Sequence, residues 1–394
     1  MKGKSQMISW KLKNRNLQPI GLDIGHNFIK MIQLSMDDGH TIRVSAADKT
    51  RIAPDINGDE QERREFVISA VRQMLAEGNF RGKDVISCLP NDKLKITSLR
   101  LVETEAEEIE QVLREEVAQR FGLNPDIDAV NYVVAGNVQQ GDEMKNELVL
   151  FVADNETIRS HIEMVEGMGL RPASIDAIPC ALFRSFERSL RRQEDKEQTM
   201  VFVDVGSWFT TVVFGRGGQI SFVKQIPIGG DKFNRQVATK LGVSISEAEI
   251  LRDRLRKERA ADLSSVGVEN GRWASGTDSA SRGGLDASTR QVMVDAIGAV
   301  AEELAREISL CFKYYTVTFR GKRVERAVLA GGGAYENILL NVLRRQLTVE
   351  IETAQPLKGF DMMNVNFESD KRDLLCEWAV AVGLGLKGFK GAID

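Results

Sequence analysis

Residues 20–34, IGLDIGHNFIKMIQL, and residues 200–214, MVFVDVGSWFTTVVF, are two versions of one pattern. Each has an apolar run, an Asp-x-Gly tripeptide and a second apolar run. Two such runs joined through a glycine-containing turn read as a β-hairpin of buried strands, with a carboxylate held at the turn. The two carboxylates, Asp23 and Asp204, lie 181 residues apart from position 23 to position 204, close to half of the 394-residue chain. Each hairpin is followed by alternating strands and then helices. A duplicated α/β domain accounts for this, with one Asp-x-Gly hairpin per half and the two facing each other across a cleft.

Working outward from the first hairpin, HTIRVSAAD at 40–48 offers a third, alternating strand. Val67, Ala70, Val71, Met74 and Leu75 recur at helical spacing, and Gly78 supplies the stop. Asp84 to Leu89 reads as a short buried strand before Pro90. Glu103 to Phe121 reads as an acidic amphipathic helix with the stripe Ile109, Val112, Leu113, Val117 and Phe121. Its carboxylates fit a solvated face, or alternatively a docking surface. Strands at 130–135 and 147–153 precede a helix over 155–168. In the second half, the run from Met200 and QISFVKQIPIGG at 219–230 give two or three strands, and a helix starts near Asp231. The longest helix spans 291–315, and AVLAGGGA at 327–334 reads as a strand entering a glycine loop. Between Lys257 and Arg290 periodicity is lost and 11 of 34 residues are Ser or Gly, which predicts an exposed, disordered loop.

Composition narrows the function classes. With 42% hydrophobic and 28% charged residues and a mean hydropathy of −0.22, this is an ordinary globular chain. Its net charge of −4 gives no general attraction for nucleic acid or anionic lipid. Cys88, Cys180, Cys311 and Cys376 are far apart, and His26, His40 and His161 are scattered, so neither a zinc site nor a catalytic triad is expected. A reducing cytosol fits these cysteines. No run approaches the roughly eighteen apolar residues of a membrane span, and no signal-peptide pattern is present. Residues 1–19 form a basic tail, with Lys2, Lys4, Lys11, Lys13 and Arg15 interleaved with Met7, Ile8, Trp10 and Leu12. It reads as a solvated terminus, or as a weak membrane-surface contact.

The two hairpins suit a nucleotide. Phosphates need backbone N–H donors at close range, a cation and a metal partner. Glycine lets a turn approach without a Cβ in the way. Mg²⁺ takes one or two carboxylates and keeps several waters. Asp23 and Asp204 are placed to hold the metal, and Lys30 can reach back along its hairpin to a phosphate. A single Asp-x-Gly is a common turn. Two at domain-repeat spacing, followed by the triplet Gly331, Gly332 and Gly333, form a constellation.

GLDIGHNFIK and VDVGSWFTT resemble the first and second phosphate motifs of the actin/FtsA/PilM superfamily, and the order and spacing of motifs resemble the PilM family of type IV pilus assembly proteins over nearly the whole chain. That resemblance implies an actin-like, ribonuclease H-like duplicated α/β fold, with two domains around a nucleotide cleft. By it, residues 20–195 are the first domain with a small inserted subdomain at about 45–150, residues 196–376 are the second, and residues 377–394 carry a closing helix returning to the first. It assigns ATP and Mg²⁺ to Asp23, Gly25, Lys30, Asp204, Gly206, Thr210, Thr211, Gly229, Gly230, Glu249, Arg252, Gly331, Gly332 and Gly333. Gly229 and Gly230 sit in IPIGG, Glu249 and Arg252 in EAEILR beside the nucleoside, and the glycine triplet in the adenosine motif.

The departures from the family pattern are His26, Asn27 and Phe28 in the first loop, Trp208 and Phe209 in the second, and Ile178. Related ATPases carry an acidic or amide side chain at the position of Ile178 to orient water, which isoleucine cannot do. The expectation is therefore nucleotide binding with little or no hydrolysis, and no catalytic residue is assigned. The resemblance further implies a cytoplasmic protein held at the inner membrane by the N-terminal cytoplasmic segment of a PilN-like bitopic protein. It also implies a link to pilus motor ATPases and a peptide surface built near residues 85–121. The alternatives are an active ATPase or phosphotransferase on the same fold, and an FtsA-like or degenerate secretion scaffold without nucleotide.

Overall fold

The computed structural model of the chain describes residues 17–37, 41–53, 56, 58–102, 106–124, 126–187, 198–265, 285–319, 323–363, 365, 367 and 375–389. The first half runs β1 (Ile20–Ile24), β2 (Phe28–Met36), β3 (Ile42–Arg51), α1 (Glu60–Glu77), β4 (Asp84–Cys88), β5 (Lys95–Val102), α2 (Ala106–Phe121), β6 (Ala129–Gln140), β7 (Glu143–Ala153), α3 (Asn155–Gly167), β8 (Arg171–Asp176) and α4 (Ile178–Glu187). The second runs β9 (Thr199–Val205), β10 (Thr210–Arg216), β11 (Gln219–Ile226), α5 (Gly230–Leu241), α6 (Ile245–Ser265), α7 (Ala287–Thr318), β12 (Val324–Ala330), α8 (Asn337–Gln346) and β13 (Glu350–Thr353), before α9 (Ala379–Leu386).

Two five-stranded sheets share one topology. Their orders are β3-β2-β1-β4-β8 and β11-β10-β9-β12-β13. In each, the first strand pairs antiparallel with the second and parallel with the fourth in the sheet order. This is the duplication that the two hairpins announce. The central strands are near-continuous apolar runs because both faces are covered: Ile20, Leu22, Ile29 and Met31 are fully buried, as are Val201, Phe202 and Val205.

The halves differ by an insertion between β4 and β8. The third sheet, β5-β7-β6, belongs to it, with α2 laid on one face. From Glu147 to Ala153 β7 is buried on both sides, so its alternation sorts two cores. Leu148, Leu150 and Val152 meet Ile109, Leu113 and Val117 of α2. Val149, Phe151 and Ala153 join the core of the second half. Each leucine so buried contributes about 1.5–3 kcal/mol.

Helix ends follow capping chemistry. The Asp59 carboxylate accepts the Gln61 and Glu62 N–H groups at the start of α1, ahead of Val67, the first residue of the apolar stripe. Asp154 and Asp286 do the same for α3 and α7.

Four sequence expectations change. The inserted unit is narrower than 45–150: β3 and β4 are strands of the first five-stranded sheet and α1 packs against its core, so the separate sheet starts only at Lys95. α6 continues through 257–265, where Lys, Glu, Arg and Ala are good helix formers, and α7 starts at Ala287. Of the expected loop at 257–290, residues 266–284 lie outside the described residues, as do residues 1–16 of the basic tail. Strands β5 and β8 and helix α4 add to the elements legible in the sequence.

Candidate functional site

The two Asp-x-Gly turns are built alike. The Gly25 N–H donates to the Phe28 carbonyl at 2.9 Å, and the Gly206 N–H to the Phe209 carbonyl at 3.0 Å. A Cβ on either glycine would stand 3.0 Å from that same carbonyl. Glycine keeps each turn closed.

Across the first hairpin, Asp23 and Lys30 occupy paired positions, and the Lys30 ammonium donates to Asp23 Oδ2 at 2.8 Å. Both are nearly buried, with 6% and 9% exposure. Burial alone would lower the Lys30 pKa, but Asp23, then Asp204 and Glu377, outweigh it and raise it. Asp204, on the second hairpin, is pushed up to about 6 by burial and by the Asp23 charge, against the pull of Lys30. Asp23 and Asp204 lie 181 residues apart in sequence, and the fold brings them together with Lys30 into one electrostatic cluster. Two carboxylates facing a single ammonium leave a negative excess that a divalent cation would relieve. Among the described residues no group of three or more His, Cys, Asp or Glu could hold a metal. Two carboxylates match the one or two that Mg²⁺ takes when water and phosphate complete its shell.

The other glycines line the second hairpin's turn. Gly230 and Asp231 donate their N–H groups to the carbonyls of Gly206 and Ser207 at 2.9 and 2.7 Å. A Cβ on Gly229 would come within 2.6 Å of Ser207 backbone. Gly331 has φ of 80°, and a Cβ there would lie 2.5 Å from Asp204 Oδ1. A Cβ on Gly333 would strike Val205 at 2.3 Å, whereas one on Gly332 would meet nothing within 4 Å. Gly331 and Gly333 thus press the loop onto the Asp204 hairpin.

The remaining candidates have partners within the protein. Thr210 Oγ1 donates to the Ile228 carbonyl at 2.7 Å. Thr211 Oγ1 accepts from Asn91 Nδ2 at 3.1 Å, a contact between the halves. Glu249 accepts from Arg51 at 2.8 Å, also between the halves. Arg252 lies beneath the loop: it donates to the Gly230 carbonyl at 3.0 Å and to Asn234, pairs with Glu336 at 3.3 Å, and stands 5.1 Å from the Phe233 ring centroid. Its place is behind the Gly230 turn.

The bulky loop residues also find places. The His26 and Trp208 rings meet with centroids 4.1 Å apart, one from each phosphate-type loop. Burial, then Arg63, lowers the His26 pKa to about 4. Lys49 Nζ stands 5.0 Å from the Phe28 centroid. Ile178 packs against Ile86, Cys88, Ala181, Val380 and Leu384.

Sequence reading missed Arg63, whose guanidinium donates to the Gly25 and His26 carbonyls at 2.7 and 2.9 Å. It also missed Glu377, which takes Lys49 at 3.2 Å and the Tyr335 hydroxyl, tying β3 to the glycine loop. These contacts join residues far apart in sequence, and no local motif marks them.

Among the described residues, no helix is long and apolar enough to cross a membrane. The sequence family described as type IV pilus assembly protein PilM matches residues 21–259 and 289–389. Among solved structures, the fold is similar to a PilM-PilN type IV pilus biogenesis complex, with a TM-score of 0.73 and 20% identity over 94% of this chain and 98% of that one. The ethanolamine utilization protein EutJ from Carboxydothermus hydrogenoformans matches with a TM-score of 0.50 and 13% identity, over 94% of this chain and 89% of that one. Comparison with curated proteins gave no match. The fold is the actin-like one that the motifs imply.

Proposed function

Because the chain belongs to the PilM family of type IV pilus assembly proteins, we propose that it is an ATP-binding platform that grips the N-terminal cytoplasmic segment of a PilN-like bitopic protein. The observation that carries the nucleotide part is the Asp23–Lys30–Asp204 cluster between two equivalent glycine turns. In this reading residues 20–195 and 196–376 are the two halves of a cleft, and 377–394 return to the first. Asp23 and Asp204 hold hydrated Mg²⁺, Lys30 meets a phosphate, and the turns at Gly25, Gly206, Gly229 and Gly230 supply backbone donors. The Gly331–Gly333 loop, with Glu249 and with Arg252 behind it, frames the nucleoside.

Ile178 lies in an apolar cluster and offers no group to orient water, so the nucleotide favours a closed arrangement and turns over slowly or not at all. The PilN arm is supported by the family match and by the likeness to a PilM-PilN complex. The insertion of β5, β6, β7 and α2, which the nucleotide site does not require, offers the peptide surface near 85–121. The partner then holds the protein at the inner membrane and links it to pilus motor ATPases.

Calorimetric titration with the N-terminal peptide of the PilN-like protein, with and without Mg-ATP, tests the reading. Peptide binding should strengthen with Mg-ATP by about 1–3 kcal/mol, reciprocally, and Asp23→Ala should abolish the difference while leaving basal peptide binding. No peptide binding in either condition removes the platform, and binding indifferent to nucleotide removes the coupling.

A further inference from the structure

Superposing the two hairpins by their shared spacing exposes one asymmetry. Gly25 corresponds to Gly206 and His26 to Ser207, each pair 181 positions apart. In the second hairpin, the carbonyls of Gly206 and Ser207 accept the backbone N–H groups of Gly230 and Asp231, at the N-terminus of α5. In the first hairpin, the carbonyls of Gly25 and His26 accept the two terminal nitrogens of one side chain, Arg63. Two donors meet the same two carbonyls in both halves.

The physical consequence is orientation. A turn whose carbonyls are fixed outward has its N–H groups fixed to the other side of the peptide planes, because each peptide is planar and trans. The planar guanidinium fork spans two acceptors at fixed spacing, which an ammonium cannot. Arg63 is itself anchored, since it lies in the first turn of α1 and its N–H donates to the Asp59 carbonyl at 3.0 Å. Asp59 caps that helix through Gln61 and Glu62. The arginine thus stands on a rigid element, as a positioning group should.

We propose that Arg63 is a positioning residue for the nucleotide's phosphates: it sets the Gly25–Phe28 turn as the α5 amides set the Gly206–Phe209 turn. This rests on the nucleotide reading given above.

The experiment compares Mg-ATP and adenosine binding to wild type, Arg63→Ala and Arg63→Lys, with thermal unfolding recorded for each. Adenosine lacks phosphates and calls on the Gly331–Gly333 loop of the other half, so it reads a general loss of structure. Arg63→Ala should weaken Mg-ATP binding by about 10-fold or more, since two charge-assisted bonds are lost, and leave adenosine within about twofold. Arg63→Lys should fall between, because it keeps the charge without the fork, and it carries the test should the alanine variant not fold. Equal losses for both ligands, or no loss for either, overturn the inference while leaving the nucleotide reading standing. Wild type that fails to bind Mg-ATP overturns that reading, and the inference falls with it.

Discussion

At the scale of single residues, burial decides which charges matter. Asp23 and Asp204 were legible as candidates because Asp-x-Gly at repeat spacing marks them, and their clustering with Lys30 follows from the equivalence of the two sheets. Arg63 was not legible: it is one of two adjacent arginines in a charged stretch, and only the docking of α1 brings it to the turn. His161 looked unremarkable, yet its Nε2 lies 2.7 Å from Ser87 Oγ in the core. Burial, then Arg64, lowers its pKa from 6.5 to about 4. Between those values the unfolded chain binds more protons than the fold, so stability is lost as pH falls. Acidification from about pH 6.5 to 4 should cost up to about 3 kcal/mol through His161. Asp204, raised to about 6, works in the opposite sense: its contribution is present at low pH and is lost as pH rises through about 6. His161→Asn leaves Asp204 untouched, keeps a partner for Ser87 and takes up no proton. Denaturant midpoints measured across this range should therefore fall more steeply for wild type than for the variant, and parallel curves would refute the assignment.

At the scale of elements, the strongly patterned segments were read well and the edges poorly. β8, RPASID, is an edge strand with a proline and no fully buried residue, so its sequence resembles a loop. β5 is also an edge, with one buried side chain, Leu99. α6 was cut short because the Ser and Gly of the following stretch diluted the helix formers of 257–265. α9, AVAVGLGL, was legible as a helix, but its glycines have a meaning only packing reveals. A Cβ on Gly383 would stand 1.8 Å from the Ala181 carbonyl oxygen of α4, and a Cβ on Gly21 would lie 2.6 Å from backbone of α9. Helix, strand and helix touch backbone to backbone there. Gly383→Ala sets two effects against each other: alanine gains about 1 kcal/mol of helix propensity, while forcing apart a close-packed contact costs about 1–3 kcal/mol, occasionally more. Because the obstacle is backbone and not a flexible side chain, the second effect wins. The variant should unfold at a lower denaturant midpoint by about 1–2 kcal/mol, whereas stabilisation would show that α9 can slide away.

At the scale of the whole molecule, the two halves share a hydrophobic core in which Phe183 and Phe186 pack on Phe202, and beyond it they meet through polar and aromatic contacts whose strengths can be ranked. Arg51 and Glu249 pair at 2.8 Å, but the arginine side chain is 50% exposed, so the pair is worth about 0.2–1 kcal/mol. Gln225 donates to Asn91 at 2.9 Å, and Asn91 donates in turn to Thr211, linking the insertion's base to the second sheet. The His26–Trp208 pair joins the two turns directly, and aromatic pairs contribute about 0.5–1.5 kcal/mol beyond buried area. With His26 held neutral near pH 7, this contact is one of ring against ring. Asp23 and Lys30 are nearly buried and Asp204 partly so, so under the proposed function the halves part before a nucleotide reaches them. If parting precedes binding, the association rate is reduced by the open fraction. Loosening the stronger contact must then raise that rate more than loosening the weaker. Trp208→Ala should speed association of a fluorescent ATP analogue by about 2- to 10-fold, following the aromatic term. Arg51→Ala should change it by about twofold at most and lose its effect in high salt, where exposed charges are screened. Stopped-flow mixing reads both. Equal rates for wild type and Trp208→Ala would mean that the halves part freely in solution, and the ring pair would then be a consequence of closure without being a latch on it.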